Sequence, residues 1–120
     1  IGERIDTDTD QLRWARGYDH TYILDKELGK LAIASRCSSP KTGIVMEVYT
    51  DQPGVQLYTG NWMSGNLRGK HDHRYPARAA LCLETQHYPD SPNKPEYPST
   101  RLNPGETFRS TTIFRFTLEA

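Results

Sequence analysis

The stretch that decides the fold covers residues 31–50 and reads LAIASRCSSPKTGIVMEVYT. Residues 31–37 alternate larger side chains with alanine and arginine, and a period of two is typical of a strand with one more polar face. One face is expected to carry Leu31, Ile33, Ser35 and Cys37. Residues 38–43 contain proline and glycine and predict a turn, after which a second strand is predicted from Ile44 to Thr50.

Further strands are predicted on the C-terminal side of this stretch. A turn at residues 51–54 leads into a strand at 55–60, because proline presets its φ and glycine accepts a positive φ. The nearly all-apolar interior of residues 78–85 predicts a strand with both faces covered. In a final strand, Phe114, Phe116 and Leu118 should share one face. Residues 11–16 offer at most a turn of helix before Gly17. The sequence therefore predicts an all-β, antiparallel fold with long loops.

The totals limit the classes of protein that fit. The 120 residues suit one domain, and 15 Lys and Arg balance 15 Asp and Glu. A zero net charge argues against a nucleic-acid or anionic-membrane partner. No apolar run approaches the ~20 residues of a membrane helix, and no signal peptide is expected. Cys37 and Cys82 are predicted to be buried free thiols. The compartment stays open, with the cytoplasm favoured.

The apolar content is low for a self-sufficient domain. Hydrophobic residues make up 35% of the chain and the mean hydropathy is −0.76. Small domains bury a smaller share of their surface and need apolar residues to compensate. The chain is therefore either a marginal domain or part of a larger fold.

A proline-rich stretch lies between Tyr88 and Ser99, with prolines at every third position. This spacing suits polyproline II geometry, which a recognition peptide would also show. Because a predicted strand and another turn flank the stretch closely, we expect a pinned surface loop.

Glu84 is the most informative ionisable residue. It follows an apolar strand and precedes the proline-rich loop, so its carboxylate should stand at the boundary between core and solvent. Partial desolvation there would favour proton exchange near neutral pH. The alternative is a strand-end Glu that pairs with a Lys or Arg.

Asp19 and Gln56 are candidates for binding a sugar. Planar polar side chains read pairs of hydroxyl groups, and nearby aromatic rings can cover C–H faces. The alternatives are an Asx-turn cap for Asp19 and a cross-strand partner for Gln56.

The histidines give weaker signals. His71 and His73 have a spacing that could place two metal ligands on one strand face, but no second ligand cluster accompanies them, so a metal is not expected. His20 and His87 could orient their acidic neighbours or donate protons, although structural hydrogen bonds are the commoner role. The sequence contains no phosphate-binding glycine loop, nucleophile elbow or Cys-x-x-Cys motif.

Four segments, in order, resemble the aldose 1-epimerase family. The first is Gly17-Tyr18-Asp19-His20, and the second runs from Tyr49-Thr50 through Pro53-Gly54-Val55-Gln56-Leu57-Tyr58-Thr59-Gly60-Asn61. The third is Leu83-Glu84-Thr85-Gln86-His87-Tyr88-Pro89-Asp90-Ser91-Pro92-Asn93 with Pro95 and Pro98, and the fourth is Leu102-Asn103-Pro104-Gly105-Glu106, which leads into the final strand. Together they span nearly the whole chain.

The resemblance implies a large antiparallel β-sandwich of which residues 1–120 form roughly the C-terminal third, as part of a single domain whose upstream part is absent here. It implies that Glu84 is the general base of an isomerase acting on a free hexose, and that Asp19 and Gln56 bind the sugar. It implies no metal or organic cofactor, and a monosaccharide as the partner.

One part of the family pattern does not occur in this sequence. The family's general acid is a histidine in an upstream segment, and His20, His71, His73 and His87 do not match its motif. The isolated chain is therefore expected to be inactive. Two other functions stay open: a non-catalytic sugar-binding module, and a hexose-phosphate epimerase with Arg68, Arg74 and Arg78 around the phosphate.

Overall fold

The computed structural model describes residues 1–119 and is built mainly of β-strands. One α-helix, α1, spans Asp10–Ala15. The strands are β1 (Asp19–Ile23), β2 (Ala32–Ser38), β3 (Ile44–Thr50), β4 (Gly54–Tyr58), β5 (Ser64–Arg68), β6 (Arg74–Pro76), β7 (Cys82–Gln86) and β8 (Thr112–Leu118). Short 3-10 turns cover Gly2–Arg4, Lys70–Asp72 and Ser91–Asn93. The prediction of an all-β, antiparallel fold is confirmed. No helix in the described part has the length and apolar character that a bilayer crossing requires.

The chain forms two compact units. The first comprises residues 1–22 and 56–84, and the second comprises residues 23–55 and those from 85 onward. A three-stranded sheet has the order β1-β4-β7, and its residues 19–22, 56–58 and 82–84 belong to the first unit. The first unit also contains the antiparallel pair β5-β6. The second unit contains a sheet of order β2-β3-β8.

The sheet of the second unit matches the stretch from which the fold was predicted. Strands β2 and β3 pair antiparallel, but a bulge between Ile33 and Ser35 shifts the register. Ile33 lies opposite Tyr49, whereas Ser35 lies opposite Val48, so Ile33 and Ser35 point to opposite faces. The prediction that Leu31, Ile33, Ser35 and Cys37 share one face was therefore wrong. The extra residue interrupts the alternation that a regular strand would have kept.

The central strand β3 supplies the core of the second unit. Val45 is 2% exposed and Val48 is fully buried, as is Thr50. Thr50 keeps its hydroxyl satisfied by pairing with the backbone oxygen of Thr111 at 3.3 Å. A β-branched residue suits a central strand because its stiff side chain packs well on a pleated surface.

The edge strand β8 is exposed along its whole length. Its side chains at Phe114, Phe116 and Leu118 share a face, as predicted, because they pair with alternate residues of β3. These three side chains are 49%, 64% and 76% exposed. A row of large apolar side chains open to solvent is unusual for a monomeric surface. We call this row the β8 apolar face.

Strand β7 differs from its prediction. It spans Cys82–Gln86 rather than residues 78–85, and residues 78–82 are all exposed. The prediction that both faces of this segment are covered was wrong, because these five residues are exposed. Cys37 and Cys82 are free thiols, as predicted, but Cys37 is only partly buried and Cys82 is exposed. The predicted burial was therefore wrong for Cys82, which lies at the end of the exposed segment 78–82, and only partly right for Cys37.

The proline-rich loop is pinned, as predicted. The hydroxyl of Ser91 donates to the backbone oxygen of Tyr88 at 2.6 Å, and Ser91 is only 6% exposed. The Tyr88 hydroxyl donates to the backbone oxygen of Pro53, and the rings of Tyr88 and Tyr97 meet edge to face. These contacts hold both ends of the loop in the second unit.

Candidate functional site

The three predicted site residues lie on three neighbouring strands of one sheet. Asp19 begins β1, Gln56 is the middle residue of β4, and Glu84 is the middle residue of β7. Because the order is β1-β4-β7, the strand that carries Gln56 separates the two strands that carry the carboxylates. One sheet thus brings together Asp19, Gln56 and Glu84, which lie far apart along the chain.

Asp19 and Gln56 are in direct contact. The side-chain amide of Gln56 donates a hydrogen bond of 2.6 Å from Nε2 to Oδ1 of Asp19. The oxygen Oε1 of Gln56 accepts a hydrogen bond from the hydroxyl of Thr21, which lies two residues beyond Asp19 on β1. The two bonds fix which end of the amide faces which partner. Gln56 is thus the cross-strand partner that the sequence offered as an alternative, and it contacts the other candidate ligand of a sugar.

Glu84 differs from its expected environment. It is exposed on β7 rather than held at a boundary between core and solvent, because the neighbouring residues 78–82 are uncovered as well. Within residues 1–119, Glu84 forms no ion pair and no side-chain hydrogen bond. The alternative of a strand-end Glu paired with Lys or Arg therefore finds no support in the described residues.

A buried hydrogen-bond network, which we call the Tyr18 lock, lies beside Asp19. It consists of the Tyr18 backbone and the side chains of Thr59 and Asn61, which are 4% and 5% exposed. The Tyr18 N–H donates to Thr59 Oγ1 at 3.0 Å, and the Thr59 hydroxyl donates to Asn61 Oδ1 at 2.6 Å. Asn61 Nδ2 then donates to the Tyr18 carbonyl oxygen at 2.8 Å, which closes the ring. The backbone N–H of Thr59 also donates to that oxygen.

Gly17 lets the backbone approach this network. Its φ is +148°, and a Cβ added there would clash with Asn61 Oδ1 and lie 2.9 Å from Thr59 Oγ1. Only glycine fits a position with both features. The motif Gly17-Tyr18-Asp19 thus has a local physical meaning: a side-chain-free residue, an anchored residue, and then the candidate ligand. Thr59 and Asn61 were not predicted as site residues, although both belong to the motif Pro53-Gly54-Val55-Gln56-Leu57-Tyr58-Thr59-Gly60-Asn61.

The histidines have structural partners. His20 Nδ1 accepts a hydrogen bond from the backbone N–H of Asp19 at 3.0 Å, and its ring meets Tyr18 edge to face. His87 Nδ1 lies 2.7 Å from Gln52 Oε1. Since Gln52 Nε2 donates to Ser110, its oxygen must accept, and His87 Nδ1 carries the hydrogen. Residues 1–119 contain no group of three or more His, Cys, Asp or Glu residues that could hold a metal ion.

The arginines considered as phosphate ligands are engaged elsewhere. Arg68 pairs with Asp72 at 2.6 Å, and Arg78 forms a two-pronged pair with Asp6 at 2.7 and 3.1 Å. The hydrogen bond from Arg78 lowers the pKa of Asp6 and raises that of Arg78 itself. Two of the three guanidinium groups thus have an internal carboxylate partner, and Arg74 donates to the backbone oxygen of Gly65 at 3.5 Å. This argues against a shared phosphate site.

A cavity of ≈ 780 Å³ occurs in the second unit. Its lining includes the polar side chains of Gln52, Thr85 and His87 and the apolar side chains of Leu102 and Phe108. The predicted site residues do not line it. The candidate site therefore stays on the sheet β1-β4-β7, and the cavity is a separate feature of the second unit.

Comparison with known proteins places the chain in a family. A family model described as Aldose 1-epimerase matches residues 1–115. The galactose mutarotase of Mus musculus is 46% identical over 102 residues, which cover 85% of this chain and 30% of that protein. The galactose mutarotase of Homo sapiens is 44% identical over the same shares of both chains. The aldose 1-epimerase of Escherichia coli (strain K12) is 35% identical over 122 residues, or 99% of this chain and 34% of that protein.

A solved structure supports the same placement. The crystal structure of a GalM/aldose epimerase homologue from C. elegans matches with a TM-score of 0.73 and 26% sequence identity, over 84% of this chain and 30% of that one. The chain thus spans 30% to 34% of the length of these relatives. With a family model over nearly all of its residues and the same fold as a solved homologue, the chain belongs to the aldose 1-epimerase family.

Proposed function

We propose that residues 1–120 carry the base-bearing part of an aldose 1-epimerase that interconverts the α and β anomers of a free hexose. Glu84 acts as the general base on the anomeric hydroxyl, and Asp19 and Gln56 hydrogen-bond other hydroxyls of the sugar. The observation that carries the proposal is that the three residues stand on neighbouring strands of one sheet, with Asp19 and Gln56 already hydrogen-bonded.

The reaction needs one base and one acid and no net change in atoms. The base removes the proton from the hydroxyl at C1, the bond from C1 to the ring oxygen breaks, and an acid protonates that oxygen. Rotation about the C1–C2 bond turns the other face of the aldehyde toward the ring hydroxyl. The reverse proton transfers close the ring as the other anomer. Positioned acid–base groups suffice for these steps, so the proposal includes no cofactor.

The exposed state of Glu84 suits a base that must meet its substrate. Its carboxylate is free of internal ion pairs within residues 1–119, so no cation has to be displaced before a sugar hydroxyl approaches. Asp19 Oδ1 is occupied by Gln56, but Oδ2 is open to accept from a sugar hydroxyl, because an ionised carboxylate has about four acceptor positions. The pair therefore presents both an acceptor and an oriented amide.

The general acid is proposed to lie outside these residues. His20 and His87 are committed to Asp19 and Gln52, and neither stands on a segment that resembles the family's acid. The relatives are about three times as long as this chain. We accordingly propose that further segments of the same fold supply the acid and cover the β8 apolar face.

Galactose or glucose is the proposed class of substrate. Relatives are named galactose mutarotase and aldose 1-epimerase. A phosphorylated hexose fits less well, because Arg68 and Arg78 are paired with Asp72 and Asp6.

The test is polarimetry of fresh α-galactose with a chain that contains these residues at the full length of the relatives. Glu84→Gln should lower the rate of mutarotation by about a hundredfold or more, since general base catalysis typically contributes that much. Glu96→Gln is the matched control, because Glu96 is exposed in the proline-rich loop, and its rate should not change. A normal rate for Glu84→Gln would remove Glu84 from the mechanism. Saturable galactose binding by the unaltered chain without any mutarotation would favour a non-catalytic sugar-binding module.

A further inference from the structure

The Tyr18 lock connects the two strands that carry the proposed sugar ligands. Tyr18 immediately precedes Asp19 at the start of β1, and Thr59 follows the end of β4, three residues after Gln56. The lock therefore ties the start of one strand to the end of the other. A hydrogen bond between their side chains, from Gln56 to Asp19, lies directly beside this connection.

The donors and acceptors of the lock complement one another. The Thr59 oxygen accepts from the Tyr18 N–H. Its hydroxyl donates to Asn61 Oδ1 at 2.6 Å, which is nearer than the other acceptor, the Tyr18 carbonyl oxygen at 3.4 Å. Because Asn61 Oδ1 accepts, its Nδ2 must face the Tyr18 carbonyl oxygen, to which it donates. The orientation of the Asn61 amide is therefore fixed, because the Tyr18 carbonyl oxygen can only accept. Nearly complete burial excludes water as a substitute partner.

The lock fixes the Tyr18 backbone through both of its hydrogen-bonding groups. The N–H bonds to Thr59, and the carbonyl oxygen receives bonds from Asn61 and from the Thr59 backbone. The carbonyl group of Tyr18 belongs to the peptide plane that continues into Asp19. Holding that plane restricts the position of the Asp19 Cα, and the hydrogen bond from Gln56 then restricts the position of the Asp19 carboxylate.

We propose that Thr59 and Asn61 are positioning residues that set the affinity for sugar through Asp19 without touching the sugar. This inference rests on the proposed function and assigns a role within the same site. A purely structural role would reduce the amount of folded enzyme and leave the affinity of the folded fraction unchanged. A positioning role therefore predicts a raised KM when the lock is broken, whereas a purely structural role predicts an unchanged KM.

The test compares Thr59→Val with Thr59→Ser by polarimetry, in a chain of the relatives' full length. Valine keeps the shape and removes both hydrogen bonds of the hydroxyl, whereas serine keeps the hydroxyl. Thr59→Val should raise KM on the order of tenfold, because small misplacements of a binding group are costly. Thr59→Ser should stay within about twofold of the unaltered protein. If valine lowers kcat and leaves KM unchanged, the inference is overturned.

A double variant locates the effect. If the lock acts through Asp19, Thr59→Val should raise KM no further once Asp19→Ala is present. A further increase of the same size in the double variant would show that Thr59 acts elsewhere and would overturn the inference. If Thr59→Val does not fold, Thr59→Cys replaces it. A thiol is a weak donor and acceptor, so KM should rise by a smaller factor, and an unchanged KM would count against the inference.

Parallel variants separate this inference from the proposed function. If Asp19→Ala leaves KM unchanged or Glu84→Gln keeps a normal rate, the site itself is wrong, whatever Thr59→Val does. If both of those variants behave as proposed and Thr59→Val has a normal KM, only the positioning role is wrong.

Discussion

Gln56 Nε2 donates to Asp19 Oδ1 across neighbouring strands while Gln56 Oε1 accepts from the hydroxyl of Thr21. A single amide thus bonds two side chains of β1 that lie on the same face, since Asp19 and Thr21 are two residues apart. The contact makes two candidate sugar ligands one unit. A substitution at either residue should therefore alter the position of the other side chain.

Coupling between Asp19 and Gln56 can be measured directly. In urea unfolding, Asp19→Ala and Gln56→Ala should be non-additive by about 1 kcal/mol, the usual net contribution of a hydrogen bond. Pairing Asp19→Ala with Gln11→Ala is the control, because Gln11 is exposed on α1, and that double variant should be additive. Additive behaviour of Asp19 and Gln56 would mean that their hydrogen bond contributes nothing in solution.

Gly17 should tolerate no side chain. Gly17→Ala places a Cβ against Asn61 Oδ1 and Thr59 Oγ1 at a backbone φ of +148°. We expect a loss of about 2 kcal/mol in the free energy of unfolding, because overpacking and backbone strain add. At Gly2, an added Cβ meets no atom within 4 Å, so Gly2→Ala should change the stability by less than about 0.5 kcal/mol. Equal effects at the two glycines would show that the lock is not as tightly packed as described.

In the second unit, the bounds of the central strand were predicted from the sequence, but the irregular pairing between strands was not. Strand β3 has the bounds that were predicted, because an apolar run between two turn signals is a strong local pattern. The bulge between Ile33 and Ser35 was not predictable, since a bulge depends on pairing with β3 rather than on local alternation. Strands β5 and β6 were missed because they are short and mostly polar, so their residues show no apolar alternation.

For the site, the sequence supplied the residue types but not their contacts. Chemistry alone offered Asp19 and Gln56 only as possibilities, and the neighbouring order of β1 and β4 explains why they meet. The lock went unpredicted because Thr59 lies near the end of a predicted strand and Asn61 lies in the loop that follows, where polar residues are common. Only their burial and their shared partner, Tyr18, distinguish them. A polar residue that is almost fully buried is a signal that composition does not carry.

The hydrogen bonds to Asp51 should make the free energy of unfolding fall at acidic pH. Burial raises its pKa, but hydrogen bonds from Ser110, the Thr111 backbone and Gln52 outweigh this effect, so the pKa is lowered overall. A carboxyl with a lowered folded-state pKa adds stability above its unfolded-state pKa and loses it as the pH falls through the folded value. The loss should therefore occur below about pH 4.

Removing one donor tests this account. Ser110→Ala deletes a bond of 2.8 Å to Asp51 Oδ1, so the lowering of the pKa should shrink. Below about pH 4, the free energy of unfolding should then fall less steeply with decreasing pH than in the unaltered protein. Ser38→Ala, an exposed change on β2, should leave the slope as it was. An unchanged slope for Ser110→Ala would contradict the assigned cause.

The β8 apolar face gives opposite predictions for two lengths of chain. Phe116 is 64% exposed in these residues, so Phe116→Ser should change the stability of the 120-residue chain by less than about 0.5 kcal/mol. If further segments of the family fold cover this face, the same change at the relatives' full length removes a buried ring and should cost about 3 kcal/mol or more. Thr117→Ser, at the next position on the opposite face, controls for effects on the strand itself. Urea unfolding of both lengths decides between the outcomes, and equal small effects in the two would show that this face stays open to solvent.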